Sequence, residues 1–143
     1  MYPKKSLADG TVVRISNRRS GRLVAERVEI AAGFAARLRG LLGRNALEPG
    51  QGLWLEPCSS IHMFFMRFAI DALFVDEQRV VVRCVQSLRP WRIAVGGLRA
   101  RAVLELPTGA IPRSETRVGD ALDLETHEID INAARREPPP HPR

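Results

Sequence analysis

Apolar positions recur along this chain with two different periods. Thr11 to Ile15 is a short β-branched run closed by the polar turn Ser16-Asn17-Arg18-Arg19-Ser20-Gly21, and a second strand follows at Leu23 to Glu29, so the pair reads as a hairpin. From Ala31 the period changes. Phe34, Leu38, Leu41 and Leu42 fall at i, i+4, i+7 and i+8, drawing one apolar helical stripe that leaves Arg37, Arg39 and Arg44 elsewhere. Gly40 and Gly43 stand at the end of that helix, where a left-handed cap costs glycine little, and Arg44 suits the negative end of its dipole.

Downstream the strand period returns. NALEPGQG is a loop, and Leu53-Trp54-Leu55 is a brief strand halted by Pro57. Ile61 to Phe65 and Ile70 to Val75 are apolar strands, and Asp76-Glu77-Gln78-Arg79 joins the latter to Val80 through Val85 as a hairpin loop. Leu88-Arg89-Pro90-Trp91 and then Gly96-Gly97 interrupt the pattern before Ala102 to Leu106, and Ala121 to Glu125 is the last strand. About eight short strands around one helix, without a βα rhythm, predict a mainly β (α+β) fold. The expected form is a compact curled sheet, a small barrel or sandwich, with the helix covering one end. Residues 1–9 read as an N-terminal extension, 10–126 as a single β-rich domain, and 127–143, which include ARREPPPHPR, as a disordered tail.

Length and composition narrow the classes further. The chain of 143 residues has the size of one domain, is 45% hydrophobic, and holds no apolar run near the roughly 18 residues that cross a bilayer. The opening MYPKKSLADG leads into no apolar signal-peptide core, so a cytoplasmic location without membrane attachment is expected. Net charge is +6, and arginine supplies all but two of the 22 basic residues. The arginines look dispersed and not interleaved with aromatics as a single-strand stacking platform requires, so nucleic acid is the disfavoured partner. Two cysteines without a CxxC, Cys58 and Cys84, support neither a zinc ribbon nor a disulfide framework.

The stretch PCSSIHMFFMRFAIDALFVD, residues 57 to 76, sets ionisable groups into an apolar run. Such groups need partners when buried, so this is where a site is sought. If Ile61 to Phe68 is extended, His62, Phe64 and Met66 share one face and Ile61, Met63, Phe65 and Arg67 the other. Asp71 is then the nearest partner for Arg67 after a bend. Met63 and Met66 read as core filling, Trp54 and Trp91 as core before pocket lining, and Cys58 as an inert buried thiol. Glu105 within VLELP alternates with Leu104 and Leu106, and is either solvated or faces a cleft as a partner for His62 or Arg67. Cys58-x3-His62 matches no common zinc spacing, so neither a metal nor a cofactor is expected.

Six blocks in order, RLRGLLGR (37–44), GLWLEPC (52–58), IHMFFMRFAIDALFVD (61–76), LRPWR (88–92), AVLELPTGA (102–110) and VGDALDL (118–124), give the chain a family likeness. It resembles the bacterial and archaeal family catalogued as domain of unknown function 192, over roughly residues 10 to 125. The most characteristic block of the family falls here on His62, Phe65, Met66, Arg67, Ile70 and Asp71, while Gly43 departs from the methionine-like residue common in relatives. The resemblance implies a small β-rich domain and brings no activity, substrate or cofactor.

The functional expectation is accordingly a non-catalytic module for a small molecule or peptide, with His62, Phe65, Arg67, Asp71 and Glu105 as ligand-binding residues. The alternative is a hydrolase in which His62 is the general base, Arg67 steadies an anion and Asp71 orients one of them. A further alternative is nucleic-acid binding through the arginine-rich surface.

Overall fold

Hydrophobic alternation along the strands decides the architecture. The computed structural model describes residues 7–33 and 41–126. Among them are nine strands: β1 (Val12–Asn17), β2 (Leu23–Ala31), β3 (Gln51–Leu55), β4 (Ser60–His62), β5 (Ile70–Val75), β6 (Val81–Leu88), β7 (Ile93–Val95), β8 (Ala102–Pro107) and β9 (Leu122–Thr126). One short helix, α1 (Ala110–Ser114), lies between β8 and β9. Seven strands form a curled half-barrel sheet in the order β6-β5-β8-β3-β2-β1-β9, and β4 pairs with β7 in a separate two-stranded sheet. All pairings are antiparallel except β2 with β3.

The central strands are apolar on both faces because both faces are covered. Leu73, Val75, Leu104, Leu106, Ile15, Val28 and Trp54 pack on one side together with Ile111 of α1. Ala72, Phe74, Val103, Leu53 and Leu55 pack on the other, beneath Leu41, Leu47, Ile61, Met63 and Met66. The β4–β7 sheet belongs to this second cover. Its inward residues Ile61 and Ala94 are buried, while the outward His62, Ile93 and Val95 are exposed.

The strand expectations agree with β1, β2, β3, β5, β6, β8 and β9 to within a few residues at their ends. The helix expected from Ala31 falls largely on residues 34–40, which lie outside the described residues, as does the tail from 127 onward. Of its stripe, Leu41 is buried and Leu42 is 40% exposed. Ile61 to Phe65 is not one strand: pairing stops at His62, and Met63 to Ala69 is a loop. β7 and α1 escape a periodicity reading because they are three and five residues long. Among the described residues no helix is long and apolar enough to cross a membrane.

Candidate functional site

The loop after β4 is fixed by its backbone, and that fixing decides which side chains face out. Met63 N donates to the Arg92 carbonyl at 2.7 Å and the Met63 carbonyl accepts from Trp91 N at 2.7 Å, so the loops 63–69 and 89–92 are tied together at one residue. Met63 and Met66 turn into the core, 1% and 9% exposed. Phe64 and Phe65 occupy the turn between them and point outward. Phe65 has φ 64° and Trp91 has φ 67°, the left-handed region that costs bulky residues roughly 1–2 kcal/mol each. Both rings nevertheless stay in solvent, Phe65 73% and Trp91 59% exposed.

The rings form a continuous strip. His62 stacks on Phe64 with centroids 4.9 Å apart at 27°, Phe64 meets Trp91 at 5.9 Å, and Phe65 meets Trp91 at 4.9 Å and 58°. These are offset and tilted geometries that aromatic rings favour. Ile93 and Val95 continue the strip along the outer face of β7, and Leu98 ends it at 98% exposure. Beside Leu98 lies an open cleft of about 580 Å³ lined by Pro57, Cys58, Ser59, Ser60 and Arg101. His62 is therefore an exposed member of an aromatic surface, not a buried strand residue that requires a polar partner.

Charge is distributed unevenly around this strip. Residues 57–70 and 86–101, which build it, contain Arg67, Arg89, Arg92, Arg99 and Arg101 and no aspartate or glutamate. The five ion pairs among the described residues, those of Arg14, Arg18, Arg19, Arg22 and Arg44, all lie in other parts of the chain. Trp91 stands between Arg89 and Arg92, and folding brings His62, Phe64 and Phe65 to it from about 27 residues away.

Arg67 and Asp71 do not pair. Arg67 Nη1 donates to Asn45 Oδ1 at 2.7 Å on the surface. Asp71 is fully buried, and its carboxylate accepts three backbone N–H groups: Ser87 at 2.9 Å on Oδ1, with Gly109 and Ile111 at 3.1 Å each on Oδ2. Ser87 sits at an irregularity of the β5–β6 ladder with φ 52°, and Gly109 is the N-cap of α1 with φ 90°. A glycine cap has no side-chain acceptor, so Asp71 supplies it from a neighbouring strand. Asp71 thereby ties the start of α1 to the β5–β6 ladder, and no hydrogen bond joins any two of His62, Arg67 and Asp71.

Glu105 lies on the opposite face of the sheet from Asp71. It stands across from Leu53 on β3 and Ala72 on β5, on the side of Val103, and is 7% exposed. Burial pushes its pKa from 4.5 up to about 7, opposed by the Arg44 charge. Arg44 is itself engaged with Glu29 at 3.2 Å. Glu105 is therefore neither solvated nor within the aromatic strip.

A second polar cluster pins the segment after α1 to the first hairpin. Asn17 Nδ2 donates to Asp120 and Thr116, Arg19 Nε donates to Asp120 Oδ1 at 2.7 Å, and Ser114 and Thr116 hydroxyls lie 2.7 Å apart. The Arg19 guanidinium holds the Asp120 carboxyl down at about 2. Cys58 Sγ donates to the Ser60 carbonyl, and burial together with Asp120 and Asp71 raises the Cys84 pKa. Among the described residues no three His, Cys, Asp or Glu side chains converge as metal ligands.

The strip's two most exposed aromatics were unequally legible. Phe65 lies in the segment singled out above, whereas Trp91 reads from sequence as core, and only its position directly after Pro90 between two arginines signals a turn.

Comparison with known proteins places this geometry in a family without assigning it a task. The DUF192 family model, described as "Uncharacterized ACR", matches residues 12–124. A UPF0127 protein of Thermococcus sibiricus is 36% identical over 120 residues, covering 78% of this chain and 75% of its own. Another UPF0127 protein, from Pyrococcus abyssi, is 39% identical over 103 residues, covering 68% of this chain and 85% of its own. A crystal structure of a protein of unknown function from Novosphingobium aromaticivorans superimposes with a TM-score of 0.68 at 22% identity, over 86% of this chain and 93% of that one, and so shares the fold. These relatives carry no described activity, and none of their names assigns a ligand. The match across nearly the whole described chain means that this protein belongs to the DUF192 family, whose curated members are the UPF0127 proteins.

Proposed function

We propose that this protein is a non-catalytic binding module whose contact surface is the strip of His62, Phe64, Phe65 and Trp91. The observation that carries the reading is the pair of left-handed aromatics. Phe65 and Trp91 each accept an unfavourable backbone conformation, and the rings so placed are left in water instead of joining the core. Strain of this kind persists only where surrounding structure enforces it, here through the two 2.7 Å hydrogen bonds at Met63. An exposed apolar surface on a rigid support suits recognition of a flat or apolar group on a small molecule or peptide. Of the residues expected to bind, His62 and Phe65 lie in the strip and Arg67 lies in the loop that carries it, while Asp71 and Glu105 support the sheet that holds it. A cytoplasmic setting is part of this proposal, in keeping with a sequence of only two cysteines and no CxxC.

A ligand screen read by thermal shift and by ¹H–¹⁵N NMR tests it. Hits should lose most of their affinity in His62→Ala, Phe65→Ala and Trp91→Ala proteins that stay folded. Hits that bind all three variants unchanged would sink the assignment.

A further inference from the structure

We propose that the partner of this strip is single-stranded nucleic acid, with bases laid on the aromatic rings and phosphates met by the flanking arginines. The inference rests on the reading of the strip as a binding surface and adds the class of ligand.

Three observations point the same way. First, the two most exposed rings leave faces to solvent: Phe65 and Trp91, 73% and 59% exposed, meet at 4.9 Å and 58°, while His62 and Phe64 stack on each other beside them. Every base has a π-face, and stacking on such rings is tolerant of sequence. Second, arginines flank the ring-bearing segments in the chain, with Asp76 lining one pocket together with Leu98 and Arg99. Residues 57–70 and 86–101 hold five arginines and no carboxylate, and the side chains of Arg89, Arg92 and Arg99 make no hydrogen bond or ion pair among the described residues. By contrast Arg14, Arg18, Arg19, Arg22 and Arg44 are paired with carboxylates on other elements. Third, the surface continues beyond the rings, past the His62–Ile93 pair and the Ser60–Val95 pair to the open cleft lined by Leu98 and Arg101.

An acidic peptide would satisfy the arginines and leave the ring faces without a matching repeat. A lipid surface would favour apolar residues gathered at one tip, whereas here Phe65 and Leu98 stand at opposite ends of the β4–β7 sheet. Duplex DNA keeps its bases stacked within the helix and cannot lay them on the rings.

The test is fluorescence anisotropy of a fluorescein-labelled oligothymidine of about 20 nucleotides, titrated with the full chain at about 50 and about 200 mM salt. Binding should weaken roughly 20-fold over that range if three arginines contact phosphates, and roughly 130-fold if five do, from a slope of about −0.7 per contact. Phe65→Ala and Trp91→Ala should each weaken binding roughly 5- to 100-fold while circular dichroism stays unchanged. Arg92→Gln should flatten the salt slope by about 0.7. A duplex of the same length should bind more weakly than the single strand.

The inference is overturned by the absence of binding at the lower salt, by aromatic variants that bind as the parent does, by equal or tighter binding of the duplex, or by phosphatidylglycerol vesicles taking the protein in preference to the oligonucleotide. Small-molecule or peptide hits that still map to Trp91 after such a failure would leave the binding-module reading in place. Loss of both would end it.

Discussion

Replacing Glu105 by glutamine should remove a large part of the pH dependence of stability between about pH 4.5 and 7. The carboxyl is 7% exposed between Leu53 and Ala72, and the nearest cationic influence, Arg44, is committed to Glu29 at 3.2 Å. Burial raises its pKa from 4.5 to about 7. Because the folded value lies above the unfolded one, Glu105 favours folding while it is neutral, and that contribution is fully present below about pH 4.5. It declines as pH rises and is gone above about 7, where the ionised carboxylate has to be held in an apolar layer. At 1.36 kcal/mol per pH unit the displacement amounts to about 3 kcal/mol. Asp120 acts in the opposite sense and at lower pH. Its carboxyl is held at about 2 by Arg19, below the usual 3.8, so its contribution is lost only as the pH falls through that acid range. Urea unfolding of the parent and of Glu105→Gln, measured from pH 4.5 to 8, isolates the effect. The parent should lose about 3 kcal/mol relative to the variant, and the variant should be the more stable at the alkaline end. Two curves that run parallel across the range would refute this account of Glu105.

Further outcomes follow from the same geometry. Asp71→Asn retains one carbonyl oxygen for three amide donors and should cost about 2–3 kcal/mol, read as a fall in Tm of several degrees; a fall below about 0.5 kcal/mol would contradict its role as the cap of α1. Phe65→Gly and Phe65→Ala both remove the ring, so their difference reports the φ of 64°: the glycine protein should be the more stable by about 1 kcal/mol, and equal values would mean that the backbone there is relaxed. Gly96→Ala would set a Cβ against the Phe74 ring and 2.6 Å from Ala100 Cβ, and should cost about 1–3 kcal/mol by chemical denaturation; a neutral substitution would show that the β4–β7 sheet is less tightly seated than described.

Much of the sheet was legible because its information is local. The continuous apolar run Ile70 to Val75 reads as a central strand, and it is one with every residue buried. What escaped depends on contacts between residues far apart in the chain. Arg67 and Asp71 are close in sequence, and proximity suggested an ion pair, yet Asp71 is claimed by amides 16, 38 and 40 residues away. Alternation put Glu105 and Val103 on one face correctly, but whether that face meets water depends on Ile61, Met63 and Met66, which a distant segment folds over it. Trp91 looked like core because tryptophan usually is. Its left-handed backbone, set by a hydrogen bond to Met63, is invisible to hydrophobic periodicity. The same bond brings Trp91 to Phe64 and Phe65, which lie about 27 residues away in the chain.

The central claim is that the aromatic strip is where this protein binds. ¹H–¹⁵N chemical-shift mapping with hits from the ligand screen tests it most directly, because Trp91 carries an indole N–H at the surface whereas that of Trp54 is internal and donates to Glu56 Oε2 at 2.8 Å. The account predicts that the Trp91 indole and the amides of His62, Phe64 and Phe65 shift together on titration while the Trp54 indole stays in place. Shifts confined to the surroundings of Glu105, Glu29 and Arg44, with Trp91 unmoved, would contradict it.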